Sequence, residues 1–180
     1  MAEIKAVPVD GYNGSPLVPT GDPMIDGVGP ASWADRADTP DLTFHGAPKI
    51  VPMRLDANFF VAKGDPDPRG MPVIAADKEV AGTVVELWVD RAEPQVRYYE
   101  VQLAGGERRV MLPVGYVQWP NFGLWGNDKL LVKAITSAQF ANVPAIMRDD
   151  QITLLEEERV MAYFAGGHLY ATAERSEPII

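Results

Sequence analysis

The sequence contains no cysteine and only two histidines among its 180 residues. Without cysteine there are no disulfides, thiolate metal sites or cysteine nucleophiles. Neither His45 nor His168 lies in a pattern that pairs it with a nucleophile or with a second metal ligand. The phosphate-binding glycine loops of nucleotide enzymes are also missing. The sequence therefore predicts no catalytic or metal site, and a free-standing hydrolase has no nucleophile and base to support it.

Basic residues and long apolar runs are scarce as well. Sixteen basic residues stand against 25 acidic ones, for a formal charge of -9. This is the wrong sign for binding nucleic acid, and it disfavours free binding to anionic lipid. No stretch approaches the ~20 consecutive apolar residues of a membrane span, and residues 1–10 lack the blocks of a signal peptide. Taken alone, the chain is expected to be soluble, with the cytoplasm as its default compartment.

Glycine and proline are abundant by contrast, at 16 residues each. Residues 1–40 contain six of the prolines and five of the glycines, without a sustained hydrophobic period, which predicts an extended arm. Such an arm is either disordered or lies along another surface. Scattered large apolar residues between Val7 and Trp33 favour the second alternative.

The middle of the chain is rich in β-branched and aromatic residues. We predict consecutive strands at Thr83–Val89, Tyr98–Leu103 and Arg108–Leu112, which would form an antiparallel meander. Trp88 should pack inside it. Shorter strands are predicted at Lys49–Met53, Met71–Ala75 and Lys129–Ile135. Several short strands at this spacing suggest a small barrel.

A helix is predicted near the carboxy terminus. Thr153 and Glu156 have the spacing of a capping box, and the apolar residues that follow have a roughly helical period. Gly166 and Gly167 are expected to end the helix. The acidic run Glu156–Glu158 would favour the positive end of the helix dipole, and we interpret it as a solvated helix face.

One polar segment, Asp90–Arg97, joins the first two strands of the meander. It places two carboxylates and two guanidinium groups at one edge of the sheet. From the residues alone, a polar hairpin loop with weak surface ion pairs is the favoured interpretation.

Five segments, in order, resemble the H subunit of type II photosynthetic reaction centres. The similarity extends from about Ser15 to Ser176. The segments are Pro19–Trp33, Leu87–Asp90 followed by Glu93 and Arg97, Gln139–Pro144, Gln151–Glu158 and Ala165–Thr172.

The resemblance implies a mainly β fold with a carboxy-terminal α-helix: a small PRC-type β-barrel preceded by the extended Pro/Gly-rich arm. We divide the chain into an arm at 1–45, a barrel at 46–136 and a helical segment with its tail at 137–180. The family's amino-terminal membrane helix has no counterpart here. Two explanations stay open, a soluble fragment or a separately encoded anchor.

The resemblance also implies a function. The family's H subunit is not an enzyme and binds no pigment. It covers the cytoplasmic side of the two pigment-binding subunits, shields the quinones and helps deliver protons to the secondary quinone. This chain would then lie on the cytoplasmic face of the photosynthetic inner membrane. Bacteriochlorophyll, bacteriopheophytin, quinones and non-haem iron would be held by the partner subunits. A separate transmembrane-helix polypeptide and a light-harvesting antenna are further candidate partners, and nucleic acid is not.

Matching positions imply the site residues. Asp90, Glu93 and Arg97 match the polar cluster beneath the secondary quinone. His45 matches a histidine where protons are collected, and Lys49 a neighbouring base. Some relatives have an acid and a second histidine where this chain has Thr43 and Ala47, so a metal site there is not expected. The alternative function is a PRC-barrel adaptor in ribosome maturation, since such barrels also occur there.

Overall fold

The computed structural model describes residues 4–120 and 128–176 of the chain. Within these ranges, no helix combines the length and apolar character needed to cross a bilayer. The chain forms an amino-terminal arm, a curved sheet and one long helix packed on that sheet.

The arm is partly folded. Strands β1 (Ala6–Pro8) and β2 (Leu17–Pro19) pair as an antiparallel hairpin, and a single turn of helix, α1 (Pro23–Asp26), follows. The side chain of Asp22 caps α1 by accepting a 2.9 Å hydrogen bond from the amide of Met24. Glycine and proline favour turns, and because they are frequent in the arm, its strands and helix are short.

In the part of the chain that the structure describes, seven strands form the main sheet. They are β3 (Ile50–Pro52), β4 (Pro72–Ile74), β5 (Val80–Asp90), β6 (Gln95–Leu103), β7 (Arg109–Pro113), β8 (Val117–Gln118) and β9 (Leu130–Val132). The order across the sheet is β7-β6-β5-β4-β9-β8, and β3 also pairs with β5. The predicted meander of β5, β6 and β7 is confirmed. Strand β8 was not predicted, because two residues carry no usable pattern.

The sheet bends because β5 is irregular. Its register with β6 shifts between Val84 and Glu86 and again between Trp88 and Val89. Such bulges increase local twist, so the long strand can serve two partners on its other edge, β3 and β4. The result is the small barrel-like fold that was predicted, although among the described residues hydrogen bonds do not close the sheet into a full cylinder.

The core lies between the concave sheet and the long helix, α2 (Leu154–Tyr170). Trp88 is completely buried, as predicted, and so are Phe140 and Phe164. Side chains of this size remove the most apolar surface from water, so they dominate the burial energy of a domain this small.

Helix α2 begins as predicted and ends later than predicted. The capping box is present, because the Thr153 hydroxyl accepts from the Glu156 amide at 3.1 Å and the Glu156 carboxylate accepts from the Thr153 amide at 2.8 Å. The expectation that Gly166 and Gly167 end the helix is wrong. The helix continues to Tyr170, and both glycines are buried within it. They are there for close packing, since a Cβ on Gly166 would lie 2.6 Å from that of Ala31.

The arm lies along α2 in the opposite direction. Near the end of the helix, Ala31 packs on Gly166. Further along, the guanidinium of Arg159 lies 5.8 Å from the ring centre of Trp33. At the start of the helix, the carbonyl of Thr39 accepts a 3.0 Å hydrogen bond from the amide of Leu154. Of the two alternatives left open for the arm, the structure shows the second, and the surface along which this part of the arm lies is the chain's own helix.

Candidate functional site

The predicted polar cluster lies at one end of the sheet, where four parts of the chain meet. These are the end of the arm, the residue before β3, the turn between β5 and β6, and the first turn of α2. Pairing of Ile50 with Asp90 brings the start of β3 to the end of β5. Lys49 is thereby placed beside Asp90, although 41 positions separate them in sequence.

Asp90 is the buried centre of this cluster, with only 1% of its side chain exposed. Its Oδ1 accepts hydrogen bonds from the amides of Ala92 and Glu93, at 2.9 and 3.0 Å. Its Oδ2 lies 3.7 Å from Nζ of Lys49. A buried carboxylate needs such partners, because desolvation alone would strongly disfavour its charge.

Lys49 joins Asp90 to a second carboxylate, that of Asp41. Its Nζ lies 3.6 Å from Oδ2 of Asp41, and its amide donates a 2.8 Å hydrogen bond to the Asp41 carbonyl. One ammonium group therefore stands between two carboxylates, one on the sheet and one at the end of the arm.

Glu93 lies in the turn beside this centre and is exposed. Its backbone is tied to Asp90, while its carboxylate accepts a 3.2 Å hydrogen bond from the side-chain amide of Gln95. Arg97 follows on β6, also exposed, and lines an open cleft of about 600 Å³ between β6, α2 and the arm. The structure thus places Asp90, Lys49, Glu93 and Arg97 at the same end of the domain.

His45 stands apart from that group. It lies at the tip of a tight turn, in which the amide of Thr43 donates to the carbonyl of Ala47 at 2.8 Å. Its ring meets the edge of Phe44, which is 99% exposed. Across the two described ranges, no hydrogen bond or ion pair joins His45 to the Asp90 cluster. In the same ranges, no three potential ligands are grouped so as to hold a metal ion.

Glu157 and Tyr98 also belong to this region and were not predicted. The phenol of Tyr98 donates a 2.7 Å hydrogen bond to Oε2 of Glu157. Burial raises the pKa of Glu157, and the charges of Asp41 and Asp90 raise it further, while the Tyr98 hydrogen bond and Arg97 oppose the rise. Burial and the neighbouring Glu157 charge also raise the pKa of Tyr98.

A signal for Glu157 was present in the sequence. Glu157 precedes Val160 by three residues and Phe164 by seven. It therefore lies on the same face of the helix as these two fully buried side chains. The expectation that the run Glu156–Glu158 forms a solvated helix face is wrong for its first two residues. The structure instead buries Glu156 in the capping box and turns Glu157 toward β6.

Two family models match the chain, each over a different part. Residues 1–55 match the model described as the photosynthetic reaction centre, H-chain N-terminal region. Residues 61–139 match the PRC-barrel domain. The first match covers the arm, including the turn that contains His45. The second match covers β4 to β9, including the turn that contains Glu93. An H-chain amino-terminal region followed by a PRC barrel is the arrangement consistent with a photosynthetic reaction centre H subunit.

Proposed function

We propose that this chain caps the cytoplasmic side of the two pigment-binding subunits of a type II reaction centre. In that position it shields the quinone sites from bulk water and assists proton delivery to the secondary quinone. The match of residues 1–55 to the H-chain N-terminal region supports association with other reaction centre subunits at a membrane. The role is that of a subunit that assists light-driven electron transfer, not of an enzyme in its own right.

The observation that carries the proton-delivery proposal is the grouping of carboxylates around a buried centre. Asp90 is almost fully buried, Asp41 shares Lys49 with it, and Glu93 is hydrogen-bonded to it through the backbone. Carboxylates gathered at one end of the domain are groups that can pass a proton from one to the next, as a relay requires.

Each predicted site residue then has a role. Glu93 is the central relay, because it is the exposed carboxylate closest in sequence to the buried one and can face a partner subunit. Asp90 shares its charge, and Lys49 and Arg97 keep the group from accumulating too much negative potential. His45 collects protons from solvent at its exposed turn, because an imidazole can both accept and release a proton.

The cofactors of the reaction are held by the partners in this proposal. Bacteriochlorophyll, bacteriopheophytin, the quinones and the non-haem iron belong to the pigment-binding subunits, and this chain supplies the protein surface beneath them. A separate transmembrane-helix polypeptide and a light-harvesting antenna remain proposed partners.

The test is Glu93→Gln in assembled reaction centres, measured by flash spectroscopy. The substitution keeps shape and hydrogen bonding but removes the titratable group. We expect the second electron transfer to the secondary quinone to slow markedly, with its coupled proton uptake, while primary charge separation is unchanged. Glu107→Gln is the matched control, because Glu107 is an exposed acid in the turn at the other end of β6. Normal proton-coupled transfer in Glu93→Gln between pH 6 and 9 would make Glu93 part of the scaffold only.

The ribosome-maturation alternative fits the barrel but not the arm. The match of residues 1–55 to the H-chain region favours the reaction centre. Affinity purification separates the two functions directly: bacteriochlorophyll in the retained material supports the reaction centre, and a basic ribosomal protein supports the alternative.

A further inference from the structure

We propose that Glu157 is a proton-exchanging residue of this site, with Tyr98 as its hydrogen-bond partner and Asp41 as the residue that tunes it from the arm. This inference rests on the proposed function and adds to it a residue on α2. It also makes the arm a part of the proton-handling site.

The position of Glu157 carries the first part of the argument. Its side chain is half-buried and lines the cleft of about 600 Å³, so solvent reaches one side of it while protein covers the other. Its Oε2 is occupied by the Tyr98 phenol at 2.7 Å. Within residues 4–120 and 128–176, no protein group donates to Oε1, which leaves that oxygen available to a proton.

The charges around Glu157 come from every element that packs near it. Arg97 and Tyr98 lie on β6, Asp90 ends β5, Glu158 follows on α2, and the arm contributes Asp41 and Arg36. Arg36 is occupied, because its Nε donates to Glu158 at 2.9 Å. Asp41 and Asp90, which share Lys49 as their ion-pair partner, oppose the ionised form of Glu157, and Arg97 with the Tyr98 hydroxyl supports it. Burial is the largest cause of the raised pKa of Glu157, so this half-buried carboxyl changes its protonation at less acidic pH than a free glutamate.

The proton step is a simple exchange. A hydronium ion in the cleft gives its proton to Oε1, forming an O–H bond and leaving water, and the neutral carboxyl later releases that proton to a neighbouring carboxylate or to water. No electrons are transferred. Tyr98 is not the acid in this step, since its pKa lies above the ordinary value, so its hydroxyl remains a hydrogen-bond donor.

The arm controls this exchange through Asp41. The Asp38 carboxylate accepts a 2.8 Å hydrogen bond from the Thr153 hydroxyl, and the Thr39 carbonyl accepts from the Leu154 amide at 3.0 Å. These bonds fix the arm to the first turn of α2 just before Asp41. The negative charge of Asp41 is thereby held near Glu157, three residues along the same helix from Leu154.

The first experiment uses the chain alone. Carboxyl carbon NMR follows the titration of Glu157 in the wild type, in Asp41→Asn and in Tyr98→Phe. We expect the wild-type midpoint to lie above 4.5, the ordinary value for glutamate. Asp41→Asn should lower it by removing a like charge, and Tyr98→Phe should raise it by removing a donor to the ionised form. Asp35→Asn, an equal change of charge on an exposed arm residue, is the control and should leave the midpoint unchanged.

The second experiment uses assembled reaction centres. Glu157→Gln should slow proton uptake coupled to the second electron transfer at least several-fold, with primary charge separation unchanged. A wild-type midpoint at the ordinary value, or normal uptake in Glu157→Gln, overturns the inference even if Glu93→Gln complexes are slow. Conversely, a chain that fails to bind the pigment-binding subunits refutes the proposed function, whereas the NMR midpoint is measured independently of binding.

Discussion

Gly166 of the long helix and Ala31 of the arm are in direct contact, so close that a Cβ on Gly166 would lie 2.6 Å from the Cβ of Ala31. This contact joins two regions separated by 135 positions in sequence. It explains why a glycine occurs inside a helix, where glycine is normally unfavourable.

Gly166→Ala should therefore destabilise the protein. In an open helix position the change would stabilise by about 1 kcal/mol, but here forced overpacking costs about 1–3 kcal/mol. Urea denaturation measures the net effect. The double variant Ala31→Gly/Gly166→Ala keeps one methyl group at the contact, and it should recover part of the loss. A gain in stability in the single variant would mean that the arm is not seated on α2.

Trp88→Ala should cost about 3–5 kcal/mol, because it leaves a large cavity in the core. Trp88 is completely buried, and its indole donates a 3.2 Å hydrogen bond to Glu100. Trp33→Ala is the matched control, since Trp33 is partly exposed on the arm and should cost much less. Equal melting temperatures for wild type and Trp88→Ala would refute the assigned core.

Thr153→Ala should cost about 0.5–2 kcal/mol through loss of the helix cap. The Thr153 hydroxyl has two partners, the Glu156 amide and the Asp38 carboxylate. Hydrogen exchange should therefore increase both in the first turn of α2 and in the arm near residue 39. Thr153→Ser keeps the hydroxyl and should retain protection in both places. Faster exchange in the helix alone would show that the arm does not depend on this contact.

Glu157→Gln should change how stability depends on pH. Because burial raises the folded-state pKa of Glu157, its neutral form is favoured by folding. The stability that neutral Glu157 contributes to the folded state is fully present below its unfolded-state pKa of about 4.5. This stability is lost as the pH rises through the folded-state pKa. Relative to wild type, Glu157→Gln should thus gain stability between pH 4.5 and neutrality.

Denaturation of both proteins across this range measures the difference. Glu107→Gln controls for the removal of one negative charge from an acidic chain. A stability difference between Glu157→Gln and wild type that does not vary with pH would show that Glu157 titrates as it does in the unfolded chain.

Much of the fold could be read from sequence because the relevant signals are local. The β-branched run at residues 83–89 and the Thr153–Glu156 cap each act over a few neighbours, and both were predicted correctly. The prediction that Gly166 and Gly167 end the helix was wrong. A glycine that ends a helix and a glycine that allows close packing cannot be distinguished from the sequence.

The same distinction applies to the site. The sequence by itself determined which residues can hold charge in the segment from Asp90 to Arg97, and that His45 has no second histidine beside it. Only the tertiary structure decided that Lys49 lies between Asp41 and Asp90, and that Glu157 rather than Glu158 is hydrogen-bonded to Tyr98. The physical reason is that burial and charge neighbours depend on contacts between distant segments: β3 pairing with β5, and the arm crossing α2. Such contacts set proton affinity, whereas sequence spacing sets only which groups are available.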